Sequence, residues 1–190
     1  MQRLEGTLAE AIGQSNRQRL AWSALLAMPL LVPVALPGMA SAVGVFSLLI
    51  AAGLLYGRPL PLPAWLARRR VDGRARTLLQ RMNEAAIRTM TKLGRPRLLF
   101  LSTPANRRVN ALLLATAALA MITPVPVISF DNVLPALAIV LLSWGLLLRD
   151  GLMLLAGYLL TLLAASSVLL LWWGGAALAG ELISLTGLVP

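Results

Sequence analysis

The sequence predicts an all-helical integral membrane protein: two proline-broken helical hairpins, one full C-terminal span and an amphipathic cytoplasmic surface helix. Three observations predict it. Hydrophobic residues make up 58% of the 190-residue chain and charged residues 13%, with a mean hydropathy of +0.80; a soluble domain is about half apolar and a quarter charged. Apolar runs recur along the chain and are interrupted by prolines. Of the 17 basic residues, 16 fall in two blocks, 3–19 and 58–108, that flank apolar sequence. Basic flanks mark the cytoplasmic side of a membrane protein. The net charge of +10 therefore points to anionic membrane lipids as partners and not to nucleic acid, since no binding motif or stacking aromatic set accompanies it.

The chain has no cysteine and no histidine, which removes thiol chemistry, disulfides, imidazole catalysis and most zinc or haem sites. No Gly-rich phosphate loop, metal cluster or nucleophile–base arrangement is present. Neither an enzyme nor a cofactor or metal site is expected, and residues 1–190 form a single membrane domain.

Residues 1–19 are polar and mildly amphipathic, and a short cytoplasmic helix is expected there. The rival is a secretory signal, with Arg17 and Arg19 before an apolar run and Ala40-Ser41-Ala42 as a cleavage-like site. Its leading region would be long and carry two glutamates. Residues 20–57 form hairpin 1, with apolar runs at 20–32 and 42–56 joined by Pro33-Val-Ala-Leu-Pro37-Gly38. Each run is about 20–24 Å long as helix, short of a hydrocarbon core of about 30 Å. Basic sequence lies at both ends, so the segment enters and leaves on one side, either re-entrant or strongly tilted. Pro33 and Pro37 break the helical ladder and Gly38 permits the turn.

Residues 58–108 form a basic cytoplasmic segment. Trp65 beside Arg68, Arg69 and Arg70 suits the headgroup layer, and Arg95 and Arg97 join them as lipid-headgroup contacts. Over 74–93, Leu79, Met82, Ala86, Met90 and Leu93 recur at helical spacing opposite Arg81, Glu84, Arg88 and Lys92. That pattern predicts an amphipathic helix, lying on the membrane surface or on the membrane domain itself.

Residues 109–148 form hairpin 2, with runs at 110–122 and 133–148 around a break at 123–132. Residues 151–173 are the one segment expected to span unaided, closing on Trp172-Trp173, and 174–190 form a short apolar tail that stays outside or dips back. The N-terminus is placed inside. Pro33–Gly38 overlays Pro124-Val-Pro-Val at an offset of about 91, and Gly53-Leu-Leu overlays Gly145-Leu-Leu at 92. Read as an internal repeat, the two units resemble transporters whose paired interrupted segments line a midplane site. Alternatively, the two breaks satisfy each other's freed backbone groups and nothing more.

The break residues Pro33, Pro37, Gly38, Pro124, Pro126, Ser129, Asp131, Asn132 and Pro135 are the candidate substrate-binding set. Asp131 stands out because an ionisable group within apolar sequence is costly. Asp131 and Asn132 also read as caps of the following helix. Asp150 is expected to pair with Arg149 or a nearby base at the cytoplasmic interface.

The blocks Pro37-Gly38 to Gly57-Arg58, Pro63-Ala-Trp65-Leu66, Arg95-Pro96-Arg97 and Asp131-Asn132-Val-Leu-Pro135 to Gly145, ending in Arg149-Asp150-Gly151, resemble the ExoD family of bacterial membrane proteins. Where that pattern has Pro-Phe-Gly-Asn, this chain has Ser129-Phe130-Asp131-Asn132. The resemblance implies a multi-pass protein of the bacterial inner membrane linked to exopolysaccharide synthesis. With the paired breaks and basic face, it suggests transport or flipping of an anionic or lipid-linked envelope precursor. The alternative is a non-transporting accessory or scaffold subunit that binds exopolysaccharide-synthesis proteins. A chain this small is expected to need a second copy to enclose a pathway.

Overall fold

The structure is a computed structural model that describes residues 6–7, 15–31, 38–60, 70–71, 88, 96–123 and 132–186, with side chains described from 15 onward and as far as 175. Its described elements in chain order are β1 (Gly6–Thr7), α1 (Asn16–Ala27), α2 (Met39–Tyr56), β2 (Arg70–Val71), α3 (Arg107–Ile122), α4 (Val133–Leu148) and α5 (Gly151–Thr186).

Helix α1 begins before the apolar run because Ser15 and Gln18 form a capping box. The Ser15 hydroxyl accepts from the Gln18 amide at 3.2 Å, and the Ser15 amide donates to the Gln18 side chain at 3.4 Å. Two amides without helical partners are satisfied at once. The α-helix stops at Ala27, earlier than the expected break at Pro33, and Met28–Leu31 tightens to a 3₁₀ turn. Pro29 lies in that turn and has no N–H to donate back into the helix. Helix α2 is bracketed by two glycines in the left-handed region, Gly38 at φ +79° and Gly57 at φ +72°. Helix α4 occupies the predicted run at 133–148. Pro135 sits in its first turn, where no intrahelical donor is required, and is fully buried.

Three expectations are corrected. Gly6–Thr7 is a strand paired antiparallel with Arg70–Val71 and not part of a helix; glycine and β-branched threonine are both weak helix formers. Helix α2 is 18 residues long, so among the described residues two helices, Met39–Tyr56 and the Gly151–Gly175 part of α5, are long and apolar enough to cross a membrane where one was expected. The chain does not form a separate tail at Gly174: α5 continues unbroken for 36 residues to Thr186. Gly174 and Gly175 each cost about 1 kcal/mol in a helix, which does not end a segment with no proline before Pro190. Of the predicted surface helix over 74–93, Arg88 alone is described, as helical and exposed, and the proline breaks at 33–37 and 124–131 lie outside the described residues.

The hairpins pack crosswise. Helix α1 lies on α4, α2 lies on α3, and α5 covers α4 and α3. Small residues permit the close approach: Ala24, Ala27, Ala117, Ala118, Ala136 and Ala138 have no exposed surface. At the α2–α3 crossing, a Cβ on Gly44 would lie 2.5 Å from Ile122 Cγ1 and 3.0 Å from the Ala118 carbonyl oxygen. A side-chain bond between Ser23 and Ser47, at 2.8 Å, links α1 and α2.

The two hairpins also share a burial register. Val43, Gly44, Phe46, Ser47, Ile50, Ala51 and Gly53 are buried on α2, and so are the α4 residues 92 positions on: Pro135, Ala136, Ala138, Ile139, Leu142, Ser143 and Gly145. On α1 and α3, Arg19, Leu20, Ser23 and Ala27 match buried Asn110, Ala111, Leu114 and Ala118 at 91. Both second helices end on a left-handed residue, Gly57 and Arg149.

Gly44→Val is expected to destabilise the bundle by about 1–3 kcal/mol through overpacking, despite removing a helical glycine. Thermal unfolding in detergent, followed by circular dichroism, should show a lower midpoint that Ile122→Ala in the same chain partly restores.

Candidate functional site

The start of α1, α3 and α5 and the end of α2 and α4 meet at one end of the bundle. Gly53 of α2 lies against the Asn16 side chain and Leu60, while the Arg107 guanidinium occupies the space beside Gly57. Gly145 of α4 packs on Leu154 of α5. Arginines 58, 97, 107, 108 and 149 are exposed there. Arg19 is buried and donates to the Leu60 carbonyl; desolvation lowers its pKa.

A pocket of about 260 Å³ opens at this end, lined by Leu20, Leu54, Ser102, Thr103, Pro104, Arg107, Asn110 and Leu146. Every helix except α5 contributes, and two 3₁₀ turns, Leu99–Ser102 and Pro104–Asn106, form its rim. Those turns are held by side chains: Thr103 Oγ1 and Asn106 Nδ2 both donate to the Phe100 carbonyl at 2.7 Å. Asn110, 1% exposed, ties the rim to the bundle. Its amide donates to the Leu101 carbonyl at 2.9 Å and accepts from the Tyr158 hydroxyl of α5 at 2.5 Å.

The Arg149-Asp150-Gly151 motif is a helix-to-helix corner. Arg149 takes φ +57° and ends α4, with the Asp150 amide donating back to the Gly145 carbonyl at 3.0 Å. The Asp150 carboxylate then accepts from the amides of Leu152 at 3.0 Å and Met153 at 3.4 Å, capping α5. Gly151 donates to the Arg97 carbonyl at 2.7 Å, and a Cβ there would lie 2.5 Å from Leu98. Leu98 is itself left-handed at φ +50°.

Of the expected substrate residues, Gly38, Asn132 and Pro135 lie at the opposite end of the bundle, by the start of α2 and α4. Nothing comes within 4 Å of a Cβ on Gly38. Asn132 is the N-cap residue of α4 but its side chain makes no capping bond. Pro33, Pro37, Pro124, Pro126, Ser129 and Asp131 are outside the described residues, as are Arg68, Arg69 and Arg95. Arg70 belongs to β2, and Arg97 acts through its backbone carbonyl. The pocket residues Ser102, Thr103, Arg107 and Asn110 were not singled out by sequence. Their one visible signal is that Asn16 and Arg19 recur, exchanged, as Arg107 and Asn110 at an offset of 91. Ser143 Oγ and Trp144 Nε1, both fully buried on α4, have no hydrogen-bond partner among the described residues.

A sequence model of the family described as "Exopolysaccharide synthesis, ExoD" matches residues 3–170. Among curated proteins, the one named Protein ExoD from Rhizobium meliloti (strain 1021) is 34% identical over 154 residues, covering 80% of this chain. The chain spans 64% of that relative's length. No solved structure matches the chain.

Tyr158→Phe should cost about 1–3 kcal/mol, because the buried Asn110 carbonyl oxygen loses its donor; a lowered melting midpoint checks it. Asp150→Ala should cost about 1 kcal/mol through loss of the α5 cap. Ser143→Ala, which deletes a buried hydroxyl without a partner, should leave the midpoint unchanged or raise it.

Proposed function

Since the chain belongs to the ExoD family of exopolysaccharide synthesis, we propose that it is an inner-membrane protein that holds an anionic, lipid-linked precursor at the charged end of the bundle, as a non-transporting accessory subunit. One observation carries this reading. Among the described residues, Arg19, Arg58, Arg97, Arg107, Arg108 and Arg149 gather at one end, over a core in which Leu114, Ala118, Ile139 and Leu142 are wholly buried. Such an arrangement favours binding at a surface, since the polar groups buried between the described helices, Ser23, Ser47, Ser143 and Thr161, are uncharged hydroxyls. Membrane integration is supported by the outer face of α5, where Leu152, Leu155, Leu159, Leu162, Leu169 and Trp173 are exposed at spacings of three, four and seven. Apolar side chains displayed along a helix of that length suit lipid. Placing the charged end in the cytoplasm follows from the basic flanks.

Catalysis is not part of the proposal, because the chain carries neither histidine nor cysteine. Its partners in this reading are anionic lipid and exopolysaccharide-synthesis proteins.

A second reading, transport or flipping, draws support from the shared burial register. If the hairpins are a duplication, the α1–α4 and α2–α3 crossings are equivalent contacts, and paired units of that kind rock against each other in transporters.

The chain has no native cysteine, so introduced thiols separate the readings. In membrane vesicles, Thr103→Cys should react with an impermeant thiol reagent from the cytoplasmic side only, and Ala118→Cys and Leu142→Cys should not react. Reaction of the two core positions from either side would replace the accessory reading with transport. Affinity purification of the accessory form should also retain exopolysaccharide-synthesis proteins.

A further inference from the structure

We propose that the pocket beside Arg107 takes the phosphate group of an amphiphilic phosphate ester. The inference rests on the precursor-holding reading above and names the chemical class that this site would recognise.

The lining divides by chemistry. Leu20, Leu54 and Leu146 come from three different helices and form an apolar side, while Ser102, Thr103, Arg107 and Asn110 form a polar one. A purely polar ligand would waste the leucines, and a purely apolar one would desolvate the polar groups without return. An amphiphile satisfies both halves.

The sign of the ligand follows from Arg107. No carboxylate pairs with its guanidinium among the described residues, and Asp150, the one acidic side chain described, is committed to the α5 cap. Asn110 adds a donor. Its side-chain nitrogen carries two hydrogens, of which one goes to Leu101, and this amide is almost wholly buried at the pocket wall. The Ser102 and Thr103 hydroxyls already donate to the Leu99 and Phe100 carbonyls, so the donors are the guanidinium fork and the second Asn110 N–H, which gives a third phosphate oxygen a partner that a two-oxygen carboxylate cannot use.

Size limits what enters. Pockets that enclose whole small molecules run to about 300–1,000 Å³, so 260 Å³ admits the phosphate and the first few carbons of its ester. Saccharide and lipid chain remain outside. A soluble sugar phosphate carries the same phosphate but lacks the apolar part that Leu20, Leu54 and Leu146 would cover.

The test uses the full chain in an uncharged maltoside detergent, with binding read by calorimetric titration. The probes are dioctanoyl phosphatidic acid, dioctanoylglycerol as the same tail without phosphate, and glucose 1-phosphate. Dioctanoyl phosphatidic acid should bind the wild-type chain and dioctanoylglycerol should not. Arg107→Gln should weaken binding at least tenfold, Arg107→Lys should recover most of it, and Arg108→Gln, one residue along α3 and outside the pocket, should change it less than threefold. Arg107-dependent binding of glucose 1-phosphate alone would keep the phosphate site and overturn its assignment to an amphiphile. Equal binding by wild type and Arg107→Gln, equal loss in Arg107→Gln and Arg108→Gln, or no binding of either phosphate would overturn the proposal. Failure here is separable from failure of the wider reading. A strain that needs the chain for exopolysaccharide, and is complemented fully by Arg107→Gln, keeps the function and loses this site.

Discussion

The bundle depends on how closely its two hairpins approach at their crossings. Gly44 meets Ala118 and Ile122 with no room for a side chain, and alanines with no exposed surface fill both crossings. In water, hydrophobic area would drive such contacts. In lipid, the surroundings are as apolar as leucine, so close van der Waals packing of small residues supplies the association. Every other feature is placed by those crossings. They bring Leu20, Leu54 and Leu146 from three helices to one pocket wall and set the start of α3 beside the end of α2.

Polar chemistry is confined where backbone geometry already requires polar groups. Helix starts leave amides unpaired and helix ends leave carbonyls unpaired. Ser15 and Asp150 answer the first need, and the left-handed residues Gly57 and Arg149 close the second. Arg107 beside Gly57 places a cation near the negative end of α2. The residues that would bind a phosphate thus also serve the fold.

Much of the helical plan was legible from apolar runs alone. Helix α4 coincides with its run, which ends where Arg149 takes a left-handed conformation. Helix α1 was misjudged at both ends for identifiable reasons. Its capping box lies in polar sequence before the run, and Pro29 was overshadowed by Pro33 and Pro37. Glycines at 174 and 175 suggested a boundary that helix energetics do not impose. The pocket was not legible. Ser102, Thr103 and Arg107 lie in a segment whose composition reads as uniformly basic and polar, and their convergence with three leucines is a property of the crossing. The Arg149-Asp150-Gly151 motif was recognised as a unit, but its work as a corner needed coordinates. The carboxylate caps α5 through the Leu152 and Met153 amides, a role that its charge alone did not suggest.

The corner also bears on how the chain would enter a membrane in the function proposed above. Helix α4 has 16 residues, about 24 Å of rise, and is short for an independent insertion signal. Only Arg149 and Asp150 separate it from α5, whose first 25 residues are long and apolar enough to cross. During synthesis the two would leave the ribosome as a tied pair. Insertion of the longer helix would then draw the shorter one in with it, and the two-residue corner would hold the pair antiparallel.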